Sequence, residues 1–346
     1  MSSSSEPTNH MAHDALAQQM ARLSLLPLWK LYASIVTREP SAEVASHAWH
    51  WSEVGSVVES VQHLIQGAAA DHRVLLLQHP QLAGVATCRT MLAAVQCVLP
   101  GERTIEHHHT PSTIRVVLSA NDCKTFVDGV SCSMQDGDLI VTPCGTWHNH
   151  ANDSSAPAVW VDVLDIPLLK LMNGVFGAPG PAAGYPRNLA TARALWSSGG
   201  LRPEVGLAQP PHTPMFRYPR SAVVPVLRQM DPPADGLRRV YYVNPLNGSA
   251  ITPTLDCCAV ELGAASSPRQ ARTTATQVCI VLQGRGRTRV GAVEHVWGAR
   301  DIFTVPEWQW VTHSPESESA SLMILSDAPF RRSIGQLREE ASALGS

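Results

Sequence analysis

Two stretches decide the fold: PGERTIEHHHTPSTIR at residues 100–115 and DGDLIVTPCGTWHNHAND at residues 136–153. Each joins a turn rich in Gly, Pro or Asp to closely spaced histidines. Short apolar runs surround both stretches, and turn residues separate these runs at intervals of about ten residues. This texture predicts a mainly β protein built as a sandwich or barrel.

The histidines are spaced for one face of a strand. Side chains two residues apart on a strand share a face, so His107 and His109 point to the same side. His148 and His150 form a second such pair. Alternation turns His108 away from its neighbours. The two pairs are therefore expected to meet on neighbouring strands inside a barrel.

The β texture occurs twice in the chain. Thr125 and Thr288, Asp138 and Asp301, and His150 and His313 are each 163 residues apart, and this register holds over much of both regions. A repeat of this kind predicts two copies of one β-domain. At this offset, His107, His109, His148 and Arg115 of the first copy correspond to Gln270, Arg272, Val311 and Val278. The second copy therefore has no histidine at the three places where the first copy has its candidate ligands.

The predicted organisation is two tandem β-barrels with flanking helices. Residues 1–35 form an N-terminal tail and helix, and residues 36–200 form the N-terminal barrel with the metal site. Residues 201–346 form a C-terminal barrel without metal ligands, which ends in a helix over about residues 331–344. The length of 346 residues agrees with a prior of two domains at about 150 residues each.

His107, His109 and His148 are the predicted metal ligands. A structural zinc ion usually has four protein ligands and no open coordination position. An all-nitrogen site with open positions suits Fe(II), Mn, Ni, Cu or catalytic Zn. The residues alone leave these metals open, and they predict one metal ion per chain in the N-terminal barrel.

Composition excludes other classes of protein. The net charge of −3 argues against a nucleic-acid binder that works by bulk charge. The sequence contains no run of 18 apolar residues, so no membrane span is predicted. The N-terminus also lacks the pattern of a signal peptide. The eight cysteines form no CxxC pair and are expected to be reduced thiols. A cytoplasmic protein is the expectation.

The motifs resemble the cupin superfamily. Residues 101–109 match its first motif and residues 137–152 its second. WHNHAND at 147–153 and WVDVLDIP at 160–167 resemble, more closely, the bicupin gentisate and salicylate 1,2-dioxygenases. The likeness covers most of residues 27–340. It implies two double-stranded β-helix (jelly-roll) barrels, Fe(II) on three histidines and a homo-oligomer, expected to be a homotetramer.

The resemblance also implies a reaction. Members of this family use O₂ to open a 2-hydroxybenzoate between the carboxyl-bearing and hydroxyl-bearing carbons. Gentisate, salicylate, a substituted salicylate such as 5-nitrosalicylate, and 1-hydroxy-2-naphthoate are all open as substrates. Two other functions remain as alternatives: a cupin that binds a ligand without turnover, and a different metal-cupin enzyme such as an isomerase or decarboxylase.

Three further residues are predicted to be catalytic. Arg115 lies on the strand after the first histidine pair, where it would hold the substrate carboxylate, or else form a structural ion pair. His150 would act as an acid or base or bond to the bound oxygen, although His313 persists in the copy without ligands. Asp162, in an apolar strand, needs a partner there: His150, a ligand histidine, the substrate or a structural hydrogen bond.

Other substrate contacts are weaker predictions. Gln96 is a polar residue in the apolar strand LAAVQCVLP. Arg73 offers a second guanidinium for the substrate carboxylate. Trp147 is expected in the core or in the wall of the pocket. Together with Arg115, these residues form the predicted substrate-binding set.

Overall fold

The structure is a computed structural model. The structure describes residues 6–67, 73–180, 212–231, 233–263 and 269–342.

The chain divides into two compact units, Met1–Ser41 and Ala42–Ser346. The first contains α1 (Glu6–Arg22) and α2 (Leu28–Ile35). The second contains the strands described below. Its helices are α3 (Trp51–Leu64), α4 (Ile166–Leu171), α5 (Arg220–Gln229) and α6 (Ala328–Ser333). No helix in the described part of the chain has both the length and the hydropathy that crossing a bilayer requires.

A six-stranded and a five-stranded sheet form the first barrel, in the orders β12-β8-β5-β10-β3-β2 and β11-β4-β9-β6-β7. Their strands are β2 (Val74–Leu76), β3 (Leu92–Val98), β4 (His107–His109), β5 (Thr113–Ser119), β6 (Asn121–Val127), β7 (Val130–Gln135), β8 (Leu139–Thr142), β9 (Trp147–Ala151), β10 (Ala158–Leu164), β11 (Gly177–Pro179) and β12 (Arg217–Tyr218).

The second barrel repeats this pairing in sheets ordered β1-β19-β16-β21-β14-β13 and β18-β17-β20-β15-β22. Its strands are β1 (Ala48–Trp49), β13 (Leu237–Tyr241), β14 (Asp256–Leu262), β15 (Ala271–Thr273), β16 (Gln277–Gln283), β17 (Gly286–Val290), β18 (Val293–Trp297), β19 (Ile302–Val305), β20 (Val311–Pro315), β21 (Ala320–Ser326) and β22 (Glu339–Ala341). The mainly β fold of two barrels is confirmed.

The central strands are largely apolar on both faces because both faces are buried. In β10, Trp160 belongs to the interior cluster of the first barrel, whereas Val161 faces a second cluster. That second cluster also takes Ile280 and Met323 from the other barrel. The two six-stranded sheets therefore pack on each other, and near-continuous apolar runs replace the alternation of a one-sided sheet.

Each barrel takes one edge strand of its six-stranded sheet from the other half of the chain. Strand β1 pairs with β19, and β12 pairs with β8. The predicted boundary between residues 200 and 201 lies outside the described residues, so the domain limits stay a prediction. The observed pairing nevertheless crosses that boundary twice.

The C-terminus differs from the predicted helix over residues 331–344. Helix α6 ends at Ser333, and Gly335 follows with a φ of 70°, the left-handed conformation that ends many helices. The chain then forms β22, which pairs with β15. Strand β11 pairs with β4 in the same way in the first barrel.

Candidate metal centre

Three histidines meet where β4 lies beside β9. His107 is paired with His148 across the ladder. The ligand atoms of His107, His109 and His148 all lie within 4.8 Å of one another. The ring centroids of His107 and His109 are 4.3 and 4.7 Å from that of His148. The structure thus brings the three predicted ligands together.

Backbone carbonyls fix how each imidazole faces the centre. The Nδ1 atoms of His107, His109 and His148 lie 3.0, 2.8 and 3.0 Å from the carbonyl oxygens of Ile105, Pro111 and Thr146. A carbonyl only accepts, so each Nδ1 carries the proton and each Nε2 keeps a free lone pair. Such hydrogen bonds orient the ring and select the tautomer in metal-binding histidines.

Burial keeps the rings of His109 and His148 neutral. It lowers the pKa of His148 to about 2, with His109 and His107 adding to the effect. It also lowers the pKa of His109, against a smaller opposite effect of the hydrogen bond to Pro111. Metal binding requires the neutral imidazole, so the donor set fits a divalent metal with coordination positions to spare.

Behind the histidines lies a buried polar network centred on Arg115. Its Nε and Nη2 donate to the two oxygens of Asp162 at 2.9 and 3.0 Å, and the Trp160 indole donates to the same carboxylate at 2.9 Å. Nη1 donates to Thr125 at 2.6 Å and lies 3.0 Å from Nδ1 of His150. Arg115 and Asp162 are only 2% and 6% exposed, so both charges are paired inside the barrel.

This network determines what Arg115 and His150 can offer. Arg115 gives its carboxylate-binding fork to Asp162, and its other Nη2 N–H faces the His150 ring. The guanidinium only donates, and its shorter contact is to Nδ1 of His150, with Nη2 at 3.3 Å from Nε2. His150 therefore carries its proton on Nε2. Burial and the charge of Arg115 hold its pKa well below the usual value, so the ring is neutral.

Gln96 and Trp147 lie on opposite sides of the barrel wall. Gln96 is buried opposite Trp160 in the ladder and faces the interior. Trp147 lies beside His108, with ring centroids 4.4 Å apart, on the face away from His148. The sequence predicted Trp147 in the core or in the wall of the pocket. The structure places it on the face away from the pocket instead, because strand alternation turns Trp147 outward together with His108.

Arg73 is not part of this group. Its guanidinium donates to both oxygens of Glu102 at 2.7 and 2.9 Å and to the carbonyl of Ile65 at 2.7 and 3.1 Å. Its side chain is fully buried in these contacts. The structure shows a guanidinium that joins the loop at Glu102 to the end of α3, in place of the predicted substrate contact.

Two threonines complete the surroundings of His150 and were missed in the sequence. Thr125 is fully buried between Arg115 and the His150 ring, with its Oγ1 3.1 Å from Nδ1. Thr104 accepts a hydrogen bond from the backbone N–H of His150 at 2.9 Å. The internal repeat already pointed to Thr125, because Thr288 and His313 repeat its contact with His150 at 2.8 Å.

Strand pairing corrects the comparison between the two barrels. Ala271 pairs with Val311 where His107 pairs with His148, so Ala271 and Thr273 take the places of His107 and His109. The constant offset of 163 residues had instead assigned Gln270 and Arg272 to the places of His107 and His109. Cys279 likewise replaces Val278 as the counterpart of Arg115. The reason is a missing residue: Thr273 precedes Asp301 by 28 positions, whereas His109 precedes Asp138 by 29.

Comparisons with known proteins agree with this geometry. Residues 94–164 match the family model described as Cupin domain. The chain is 33% identical to gentisate 1,2 dioxygenase 1 of Aquipseudomonas alcaligenes over 91% of this chain and 92% of that protein. It is 32% identical to 5-aminosalicylate 1,2-dioxygenase of Comamonas sp over 95% and 90%.

A solved structure covers nearly the whole chain. Salicylate 1,2-dioxygenase from Pseudoaminobacter salicylatoxidans, solved as adducts with gentisate, superposes with a TM-score of 0.88 and 27% identity. The match covers 99% of this chain and 96% of that one. The architecture of both barrels therefore extends to this relative.

Proposed function

The chain belongs to the gentisate/salicylate 1,2-dioxygenase family of bicupins, and on that premise we propose that it is a ring-cleaving dioxygenase of a 2-hydroxybenzoate. The C–C bond between the carboxyl-bearing and hydroxyl-bearing carbons breaks. Both atoms of O₂ enter the product, which is a 2-oxo acid with a new carboxyl group. The reaction consumes no external reductant.

The three-histidine cluster carries this proposal. Each Nδ1 is held by a backbone carbonyl, which leaves the three Nε2 atoms as the ligand atoms, and the ligand atoms of this cluster lie within 4.8 Å of one another. We assign one Fe(II) ion per chain to His107, His109 and His148 in the N-terminal barrel. The absence of a carboxylate from this donor set leaves more of the ion's positive charge for an anionic substrate.

Bound Fe(II) would supply the one-electron chemistry that lets O₂ react with a closed-shell aromatic ring. The protein's own part is orientation and proton placement. His150 holds a proton on Nε2, from which it can donate a hydrogen bond to a substrate or oxygen atom. Arg115 holds the His150 ring through Nδ1, and Asp162 neutralises Arg115. The network makes Arg115 and Asp162 positioning residues, and a direct contact of Arg115 with the substrate carboxylate stays a prediction.

Gentisate is the first substrate to test. Curated relatives carry the names of gentisate, 5-aminosalicylate and 1-hydroxy-2-naphthoate dioxygenases. All three acids share a carboxylate next to a hydroxyl on an aromatic ring. Salicylate and 5-nitrosalicylate share it as well, so all five acids belong to the class to be tested.

The test is oxygen uptake. Protein reconstituted with Fe(II) without air is mixed with gentisate, salicylate, 5-aminosalicylate, 5-nitrosalicylate or 1-hydroxy-2-naphthoate, and O₂ is then admitted. At least one acid should consume one O₂ per molecule, lose its aromatic absorbance and gain two ¹⁸O atoms from ¹⁸O₂. No uptake with any acid overturns the proposal. Tight binding of an acid without uptake would instead support the alternative, a cupin that binds a ligand without turnover.

A homotetramer in the cytoplasm completes the proposal. Helix α2 exposes Trp29, Tyr32 and Ile35 at 72%, 57% and 63%, and such a surface favours burial between subunits. All eight cysteines are free, as expected in a reducing compartment. Light scattering after gel filtration should give four times the mass of the chain, and a monomer would contradict the assembly.

A further inference from the structure

A cavity of about 390 Å³ lies in the second barrel, where the first barrel has its histidines. This volume is in the range of small-molecule sites. Ala271, Thr273 and Val311, the counterparts of the three ligands, all line it. Short side chains in place of three imidazoles thus leave room, and they offer no set of metal ligands.

One wall of the cavity presents a guanidinium with a free edge. Arg239 shares the inner face of β13 with Leu237, which belongs to the interior cluster of this barrel. Its Nη1 donates to Asp235 at 3.3 Å and to the carbonyl of Leu237 at 3.5 Å. Neither Nε nor Nη2 has a hydrogen-bond partner in the described part of the chain. These two atoms form the edge that binds a carboxylate in a bidentate pair.

His313 adds a second donor to the same cavity. Its Nδ1 lies 2.8 Å from Oγ1 of Thr288, and that oxygen already accepts from the indole of Trp297 at 2.9 Å. Nδ1 of His313 is the one acceptor within reach of the Thr288 hydroxyl in the described part of the chain, so we assign the hydroxyl proton to this bond, which leaves the proton of the neutral ring on Nε2. Burial and the charge of Arg239 lower the pKa of His313 to about 4, so the ring is a neutral N–H donor in a positive field.

The other charges of the wall are largely paired. Glu340 accepts from Arg272 and Arg338, each at 2.6 Å, and Asp235 faces Arg239. Arg269 also lines the cavity, as does Glu339, which is exposed on β22. The rest of the wall is mixed: Leu237, Val305, Val311 and Ile324 form an apolar part, and Tyr241, Gln277 and Gln309 add polar groups. Such a lining matches a ligand with one anionic group and an apolar body.

We propose that this cavity is a second, metal-free binding site for a small apolar monocarboxylate. The carboxylate pairs with the Nε and Nη2 edge of Arg239 and accepts from Nε2 of His313. The apolar body packs on Val311 and Ile324. No chemistry is expected there, so the site is a binding site in a barrel that has lost its metal ligands, and it does not depend on the proposed oxygenase reaction.

Benzoate is the probe, because it lacks the ortho hydroxyl of a ring-cleavage substrate. Calorimetry is done on the full chain carrying His109→Ala, which disables the first site and so separates this test from the oxygenase proposal. We expect one benzoate per chain. Adding Arg239→Gln should weaken binding at least tenfold, and Val311→Phe, which fills the cavity without changing charge, should do the same.

Arg238→Gln is the matched control. Arg238 is the neighbour of Arg239 on β13, faces the other way and donates to the carbonyl of Met230 at 3.0 Å. It should leave benzoate affinity within twofold. The proposal is overturned if the His109→Ala chain binds no benzoate, or if Arg239→Gln and Val311→Phe both leave the affinity unchanged. Thermal unfolding of each variant checks that a lost site does not reflect a lost fold.

Discussion

At the residue scale, the run His107–His109 places identical side chains in different surroundings. His109 faces the centre with its Nδ1 on the Pro111 carbonyl, whereas His108 packs on Trp147 on the other side of the strand. His109→Ala should lower the affinity for Fe(II) by more than about 100-fold, since even changes to groups that merely orient a ligand cost about 10–100-fold. His108→Ala should keep the metal. Iron content after gel filtration checks both, and equal iron in the two variants would contradict the assignment.

Thr125 offers a test of the buried network that leaves the metal ligands intact. Thr125→Val keeps the volume but removes the hydroxyl between Arg115 and His150. Turnover should fall roughly 10- to 100-fold, because a shift of about 1 Å in a catalytic group costs on the order of 100-fold. Iron content should not change.

The second barrel supplies the control for Thr125. Thr288 makes the same contact with His313, so Thr288→Val is the same chemical change in the barrel without metal ligands. It should retain full turnover. If both variants lose turnover equally, the effect comes from general destabilisation, and the role given to the Arg115 network fails.

At the element scale, β11 is the edge strand that pairs with β4, the strand of His107 and His109. Gly177 pairs with His109, and a Cβ there would overlap the carbonyl oxygen of His108 and lie 3.1 Å from Cβ of His109. Gly177→Ala should therefore push β11 away, tilt the ligands and lower the affinity for Fe(II) about tenfold. Gly174→Ala, with its nearest contact at 3.5 Å, is the control. Competition for iron with a chromogenic chelator measures both affinities, and an unchanged affinity in Gly177→Ala would show that β11 does not support the site.

The element scale also shows where sequence reasoning succeeds and fails. Alternation places His107 and His109 on one face without any structure, because the period of a strand is two. The same rule applied to Trp147 would have turned it outward with His108. The partners of Arg115 and Arg73 could not be predicted, since Asp162 and Glu102 meet them only through pairing and loop packing that no local pattern specifies.

Strand register is the second feature that the sequence alone does not determine. A constant offset of 163 assigned Gln270 and Arg272 to the places of the histidines, but one missing residue between Thr273 and Asp301 shifts the upstream strands. A slip of one position moves every side chain of a strand to the other face. Only the observed pairing of Ala271 with Val311 shows which residues line the second cavity.

At the scale of the whole molecule, equivalent aspartates join the two halves of the chain. Asp301, in the second barrel, accepts from the backbone N–H of Trp51 at 2.7 Å, where α3 begins. Asp138, in the first, accepts from the N–H of Arg220 at 2.9 Å, where α5 begins. A carboxylate at a helix N-terminus satisfies free N–H groups and complements the helix dipole. Each barrel thus caps the helix that follows the strand it receives from the other half.

This exchange predicts that the barrels stabilise each other. Asp301→Ala removes the acceptor for Trp51, for His50 at 3.0 Å and for the N–H of Gly298 at 3.0 Å. The free energy of unfolding should fall by about 2–4 kcal/mol, because buried hydrogen bonds to a charged group contribute about 1.5–3 kcal/mol each and are not additive. Asp153→Ala, which loses an exposed contact with Lys124, should change it by less than about 1 kcal/mol. Urea unfolding followed by tryptophan fluorescence measures both, and because the large sheets share one core, a single transition is expected in each. An Asp301→Ala chain as stable as Asp153→Ala would mean that the exchanged segments contribute little to holding the two barrels together.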